Sequence, residues 1–380
     1  MLRTATEEEI RQGKVSDIYF ERTEKILKAK KINKSVKAEF SIRSFPGEIP
    51  WAVFSGLSDV VDLLKDKPLD IEAIPEGTVF TPGLPVMTIS GKYLDFGTFE
   101  TTILGLICHA SGIATQAARI VRAAEGRTVL AFGTRRMHPA IAPILDRNAY
   151  IGGCNGLATK LSGELLKIPA SGTMPHALVL LMGDTIEATR AFDKIIDKKV
   201  PRIALIDTFN DEKFEAVNLA KAMKGKLYGV RLDTPSSRRG DFLEIMKEVR
   251  WELDIRGFKN VKLFASGGLN VDDIIELNEV VDAYGIGNAI SNASVLDFSM
   301  DIVEISGKSI AKRGKKSGHK LVLKGKLPFE YISVLASTKP PKTRLVTKSY
   351  LEQGKLVAKL PADNAIRSYV LKQIGDLPLF

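Results

Sequence analysis

The clearest chemical signal in the chain lies at residues 261–292, where two short apolar strands, VKLFAS and DAYGIG, each run into glycine. Gly267 and Gly268 follow the first strand, and Gly287 and Asn288 follow the second. Turns of this kind leave bare backbone N–H groups that converge on an anion, and the positive end of a following helix adds to the attraction. The implied chemistry is phosphate holding, with Gly267, Gly268, Gly287 and Asn288 as the cradle and Ser266, at the end of the first strand, as a further substrate-binding residue. Either turn alone could be only a tight strand-to-helix connection, and it is the repetition in adjacent units that favours a ligand site.

In a (β/α) barrel the functional side chains sit at the C-terminal ends of the strands. Those ends supply Phe132, Arg135 and Arg136 from AFGTRRMHP, Cys154 and Asn155 from IGGCNG, and Thr173 and His176 from SGTMPH. Asp207 follows from LIDTF, and Arg231 and Asp233 follow from VRLDT. Such a rim suits a substrate with several phosphates, with Arg135 and Arg136 as clamps and the carboxylates free for metal or sugar hydroxyls. Other roles stay open: Phe132 could fill the core, and Arg231 and Asp233, two apart on one strand, could simply pair. Asp207 reads as a Mg2+ ligand or as a support behind the site, and His109 and His138 read as structural. Thr173 is placed to cap a long helix through HALVLLMGDTIEATRAFDKII, with His176 in its first turn. The positive helix end would keep that imidazole neutral and nucleophilic near pH 7 and would stabilise a phosphoryl group upon it.

The elements that must position these residues change character along the chain. Helical spacing from Ser16, a strand over 35–45, a helix over 57–65 and Pro/Gly-broken short strands over 71–90 predict an N-terminal α/β sandwich, 1–110. Residues 95–124 read as a long apolar helical region interrupted near Gly112. Beyond Gly126, TVLAFGT, AYIGGCN, KIPASGT, RIALIDTF, LYGVRLDT, VKLFAS and DAYGIG alternate with helices, which predicts an irregular barrel of about seven parallel strands over 111–303. An open doubly wound sheet is the alternative. Residues 304–380 break the alternation and are expected to pack back on the N-terminal domain.

The 380 residues are 44% hydrophobic and carry a formal charge of +10. No apolar run reaches the roughly 18 residues of a membrane span and the start, MLRTATEEEI, has no signal-peptide pattern, so a cytoplasmic protein without a membrane partner is expected. Two cysteines, Cys108 and Cys154, are too few for a disulfide framework or a Cys-rich zinc site. The basic runs 25–37 and 308–326 lack interleaved aromatics and read as solvated faces, with no nucleic-acid partner.

Together SDIYF, SGIAT, FGTRRMHPAIAP, GTMPH, RLDT, SGGLN and YGIGN resemble, in order and spacing, the nicotinate phosphoribosyltransferases among the type II phosphoribosyltransferases. The resemblance implies transfer of ribose 5-phosphate from phosphoribosyl pyrophosphate to nicotinate, giving nicotinate mononucleotide and pyrophosphate in NAD synthesis or salvage. It implies Phe132 and Tyr19 around the pyridine ring, Arg135 near the base or pyrophosphate, Arg231 and Asp233 at the ribose and ring, and Mg2+ on the pyrophosphate. His176 would carry a phosphoryl group from ATP as co-substrate. Tyr19 would reach the neighbouring subunit of a homodimer. Amide-using relatives carry an acid near Asn155, so a neutral Asn155 implies nicotinate. Archaeal-type relatives can carry a Cys-rich zinc segment at the C-terminus; no cysteine follows Cys154, so no zinc is expected. A nicotinamide or quinolinate enzyme, a phosphate-binding barrel isomerase or aldolase, and a basic nucleic-acid-binding protein are the competing readings.

Overall fold

The computed structural model describes residues 3–47, 49–234, 237, 240–326, 329–375 and 377–379. The chain divides into two compact units, Met1–Thr115 with Ser294–Phe380, and Gln116–Ala293.

The first unit is built on a seven-stranded antiparallel sheet ordered Lys308–Ser309, Phe298–Ile305, Ser35–Ile42, Pro85–Lys92, Asp70–Ala73, Lys348–Glu352, Lys355–Leu356. N-terminal strands form its middle and C-terminal strands form both flanks. Alternation in Ser35–Ile42 sends Val36, Ala38, Phe40 and Ile42 into a core shared with Leu57, Val60, Val61 and Leu64 of the helix Leu57–Leu64. Because Phe298–Ile305 pairs along Ser35–Ile42, the domain boundary expected at 303 falls at 293.

The opposite face of the sheet is polar, and it claims part of the basic run expected to be solvated. Glu39, 5% exposed, accepts Lys320 Nζ at 2.8 Å and the Lys320 backbone N–H at 2.6 Å. Asp301 pairs with Lys312 at 2.8 Å and Lys315 at 2.7 Å.

Local expectations need three corrections in this part of the chain. Asp17, not Ser16, precedes the helix Ile18–Ala29, and its carboxylate accepts from Thr101 Oγ1 at 2.7 Å instead of capping. The helix Glu100–Ala123 runs unbroken through Gly112, where a Cβ would stand 2.3 Å from the Ser294 carbonyl oxygen. Gly112 therefore serves close packing and does not break the helix. Contrary to the expectation from apolar runs, Gly97–Ala123 is by length and composition apolar enough to cross a membrane, but 61% of its most apolar 18-residue stretch is buried inside the protein.

The second unit holds a parallel sheet of six strands ordered Gly156–Leu157, Thr128–Ala131, Ala283–Ile286, Lys262–Ser266, Gly229–Leu232, Ile203–Leu205. It is a curled half-barrel flanked by helices, one strand short of the expected count. In KIPASGT, Pro169 has no N–H to donate, and only an isolated bridge between Leu157 and Ala170 forms. AYIGGCN is not a strand either. Pro143 starts the helix Ala142–Ile151, which buries Leu145, Ala149 and Ile151.

Candidate active site

The two glycine turns come together because their strands are neighbours, with Ser266 opposite Gly285 in parallel register. Gly267 and Gly268 have φ of 97° and 77°, a left-handed conformation that glycine adopts without steric cost. Ser266, Gly267, Gly268, Gly287 and Asn288 line one cavity of about 580 Å³, together with Phe132, Arg135, Arg136, Thr173, His176, Arg231 and Asp233. Twelve of the residues singled out in the sequence thus share one pocket at the C-terminal ends of the strands.

Arg231 and Asp233 leave Gly229–Leu232 and its end as a tightly bonded pair. The Arg231 Nη1 donates to Ser266 Oγ at 2.9 Å and lies 3.3 Å from Asp233 Oδ2, while Nη2 donates to the Met174 carbonyl at 3.0 Å. Ser266 Oγ in turn donates to Asp233 Oδ1 at 2.9 Å. Both oxygens of Asp233 are thereby held. Burial lowers the Arg231 pKa, opposed by the charges of Asp233 and Asp207. At 9% exposure this guanidinium orients Asp233 and the Met174 segment, and it is poorly placed to act as a free clamp. Arg135 and Arg136 are exposed and pair with no carboxylate among the described residues, so they are the free cations of the pocket.

His176 opens the helix His176–Met182, which Gly183 ends in the left-handed region at φ 74°. Two expectations fail here. Pro175 is the N-cap, so Thr173 does not cap the helix, and Asp184 caps a separate helix, Thr185–Ile195. His176 Nδ1 is 3.1 Å from Thr208 Oγ1, and Nε2 faces Asp207 Oδ1 at 3.7 Å and Asp233 Oδ2 at 4.0 Å. The Asp207 side chain is 1% exposed; Oδ2 accepts from the Asp233 backbone N–H at 2.9 Å and Thr234 Oγ1 at 3.0 Å, whereas Oδ1 has no hydrogen-bond partner among the described residues.

Asn155 and Tyr19 are not among the residues that line this pocket. Asn155 precedes the strand Gly156–Leu157, is exposed, and accepts the Val129 N–H at 2.9 Å near the start of Thr128–Ala131. That is the strand end opposite the cavity, because AYIGGCN folds as helix and turn, and the inference about the base drawn from Asn155 lapses. Tyr19, 56% exposed, stands on Ile18–Ala29 in the other unit with its ring 4.3 Å from that of Phe20. Thr208, the Met174 carbonyl and Gly285 also line or support the pocket and are not among the residues expected from the sequence. Only Gly285 left a signal, as a glycine inside a strand.

No group of three or more His, Cys, Asp or Glu side chains able to hold a metal occurs among the described residues. The free oxygen of Asp207 beside Asp233 fits a Mg2+ that keeps most of its shell as water and phosphate oxygens, the usual habit of that ion.

Comparison with known proteins matches residues 17–111 to the N-terminal domain and residues 113–301 to the C-terminal domain of quinolinate phosphoribosyl transferase. The structure of a nicotinate-nucleotide pyrophosphorylase from Pyrococcus furiosus is similar over 99% of both chains, with 48% identity and a TM-score of 0.96. The human nicotinic acid phosphoribosyltransferase shares the fold at 18% identity, with a TM-score of 0.74 over 94% of this chain and 93% of that one. The nicotinate phosphoribosyltransferase pncB2 of Mycobacterium tuberculosis is 31% identical over 266 residues, which are 68% of this chain and 56% of that protein. The chain thus spans little more than half the length of the curated relatives it matches.

Proposed function

The chain belongs to the quinolinate phosphoribosyltransferase family of type II phosphoribosyltransferases, and from that premise we propose that it transfers ribose 5-phosphate from phosphoribosyl pyrophosphate to nicotinate. The supporting observation is the pocket's inventory of cations. With Arg231 tied to Ser266, Met174 and Asp233, Arg135 and Arg136 remain to meet both the pyrophosphate and the carboxylate of the base. That is a match for a monocarboxylate and a poor one for quinolinate, whose second carboxylate would lie unpaired beside the pyrophosphate.

In this reading the pyridine stacks on Phe132, and Ser266 to Gly268 with Gly287 and Asn288 hold the 5-phosphate. Asp233, fixed by Arg231 and Ser266, faces the ribose. The anomeric C–O bond to pyrophosphate breaks with oxocarbenium character as the pyridine nitrogen bonds to that carbon, and Arg135 and Arg136 stabilise the departing charge. Mg2+ held by Asp207 and Asp233 would neutralise pyrophosphate charge.

His176 is the phosphoryl acceptor for ATP in the same pocket. Asp207 and Asp233 favour the ring proton on Nε2, which leaves the Nδ1 lone pair, beside Thr208, to attack the terminal phosphorus. The P–O bond to ADP breaks as the N–P bond forms. A homodimer in which Tyr19 completes the neighbouring subunit's base site fits the exposure of that ring.

The deciding experiment follows pyrophosphate release from phosphoribosyl pyrophosphate with nicotinate, nicotinamide and quinolinate side by side, with and without ATP. Nicotinate should be preferred and ADP should form; higher kcat/KM on quinolinate would assign the dicarboxylate, the reading that the family's name favours.

A further inference from the structure

The aromatic ring of the pocket and its bonded network meet at a residue without a side chain. Gly285 sits inside the strand Ala283–Ile286 with a backbone conformation open to any residue, since its φ is not positive. A Cβ on it would stand 2.6 Å from both Cδ2 and Cε2 of Phe132, and 3.2 Å from Cβ of Ser266. Carbon atoms normally rest about 3.5–4.0 Å apart, so a methyl there must displace the ring. Phe132 has little freedom to retreat along the sheet, because its N–H donates to the Ile286 carbonyl at 2.7 Å. On the other side Ser266 is held by Arg231 and Asp233. The ring lines the cavity, which gives it room to move in that direction.

We propose that Gly285 is a positioning residue whose bare backbone sets the spacing between the Phe132 ring and the Ser266–Arg231–Asp233 network, and so the depth of the slot for the planar base. This rests on the function proposed above. A residue needed only for folding would lower yield or stability and leave the balance of substrate affinities alone. One that sets the slot changes the KM of the base and leaves that of phosphoribosyl pyrophosphate nearly unmoved.

The test is a cycle of wild type, Gly285→Ala, Phe132→Leu and the double variant, assayed with whichever of nicotinate, nicotinamide and quinolinate the wild type uses. Gly285→Ala should raise the KM of the base about 10–100-fold, as displacement by about an ångström does. Phe132→Leu supplies a smaller side chain that yields to the methyl, so the double variant should match Phe132→Leu alone. An unchanged base KM in Gly285→Ala, or additive losses in the double variant, overturns the proposal. Should Gly285→Ala not accumulate in folded form, the double variant decides: a folded protein with the activity of Phe132→Leu supports the clash, and an unfolded one refutes it. A wild type inactive on all three bases overturns the function and the slot together, whereas an active wild type with additive variants overturns the slot alone.

Discussion

His176 Nε2 lies 3.7 Å from Asp207 Oδ1, a buried carboxylate oxygen without a hydrogen-bond partner among the described residues. That oxygen costs free energy to bury unless a proton or metal ion uses it during turnover. Asp207→Asn keeps an acceptor for the Asp233 N–H and removes the charge. ATP-dependent turnover should fall by about 10²-fold or more, the usual scale of a lost acid–base partner, while ATP-independent synthesis falls less. Equal losses with and without ATP would refute the link between Asp207 and the His176 step.

Arg231→Lys replaces a planar fork by a single ammonium, which cannot reach Ser266, Met174 and Asp233 together. The loss of a buried charge-assisted hydrogen bond should cost about 1.5–3 kcal/mol in a urea titration. Activity should fall with it because Asp233 loses its orientation. Wild-type stability and rate in this variant would show that Arg231 is not the organising cation.

If Tyr19 serves the neighbouring subunit, Tyr19→Ala and Arg135→Ala proteins should each be weak alone and partly active after subunit exchange, since a mixed dimer contains one intact site. Activity of the mixture equal to the average of the two parents, with exchange demonstrated by mass labelling, would place Tyr19 outside the neighbouring subunit's site.

Glu100, at the start of Glu100–Ala123, is pushed up to about 7 by burial, with Asp301 and Asp17 adding to the rise against Lys312. Its folded pKa exceeds the unfolded one, so the folded state binds the extra proton; this contribution is fully present below the unfolded carboxylate range and is lost as pH rises through about 7. Glu100→Gln should therefore raise the urea midpoint at pH 8 more than at pH 5. The opposite order would show that Glu100 is ionised and satisfied in the fold.

The glycine turns were legible because glycine after a β-patterned run is both a conformational and a positional signal, and Ser266, Gly267 and Gly268 line the cavity at the strand ends, where that pattern places them. Phe132, Arg135 and Arg136 were legible for the same reason, as residues just past a strand. Asn155 was misplaced because the β-propensity of Tyr150 and Ile151 outweighed the helix start at Pro143, an override of local preference that periodicity over so short a run cannot reveal. The bond from Arg231 to the Met174 carbonyl had no side-chain partner to betray it, and the role assigned to Arg231 changes accordingly.

The pairing of Val36 with Ile305, and of Ile71 with Leu351, has a consequence for biosynthesis. The middle strands of the antiparallel sheet leave the ribosome first and must wait, with both edges unpaired, until almost the whole chain has been made. Residues 116–293, whose parallel strands pair only among themselves, can close in the interval. A nascent chain stalled before residue 298 should therefore show a protease-resistant half-barrel joined to an open, aggregation-prone N-terminal sheet, and the C-terminal strands would act as the late clasp that ends its exposure.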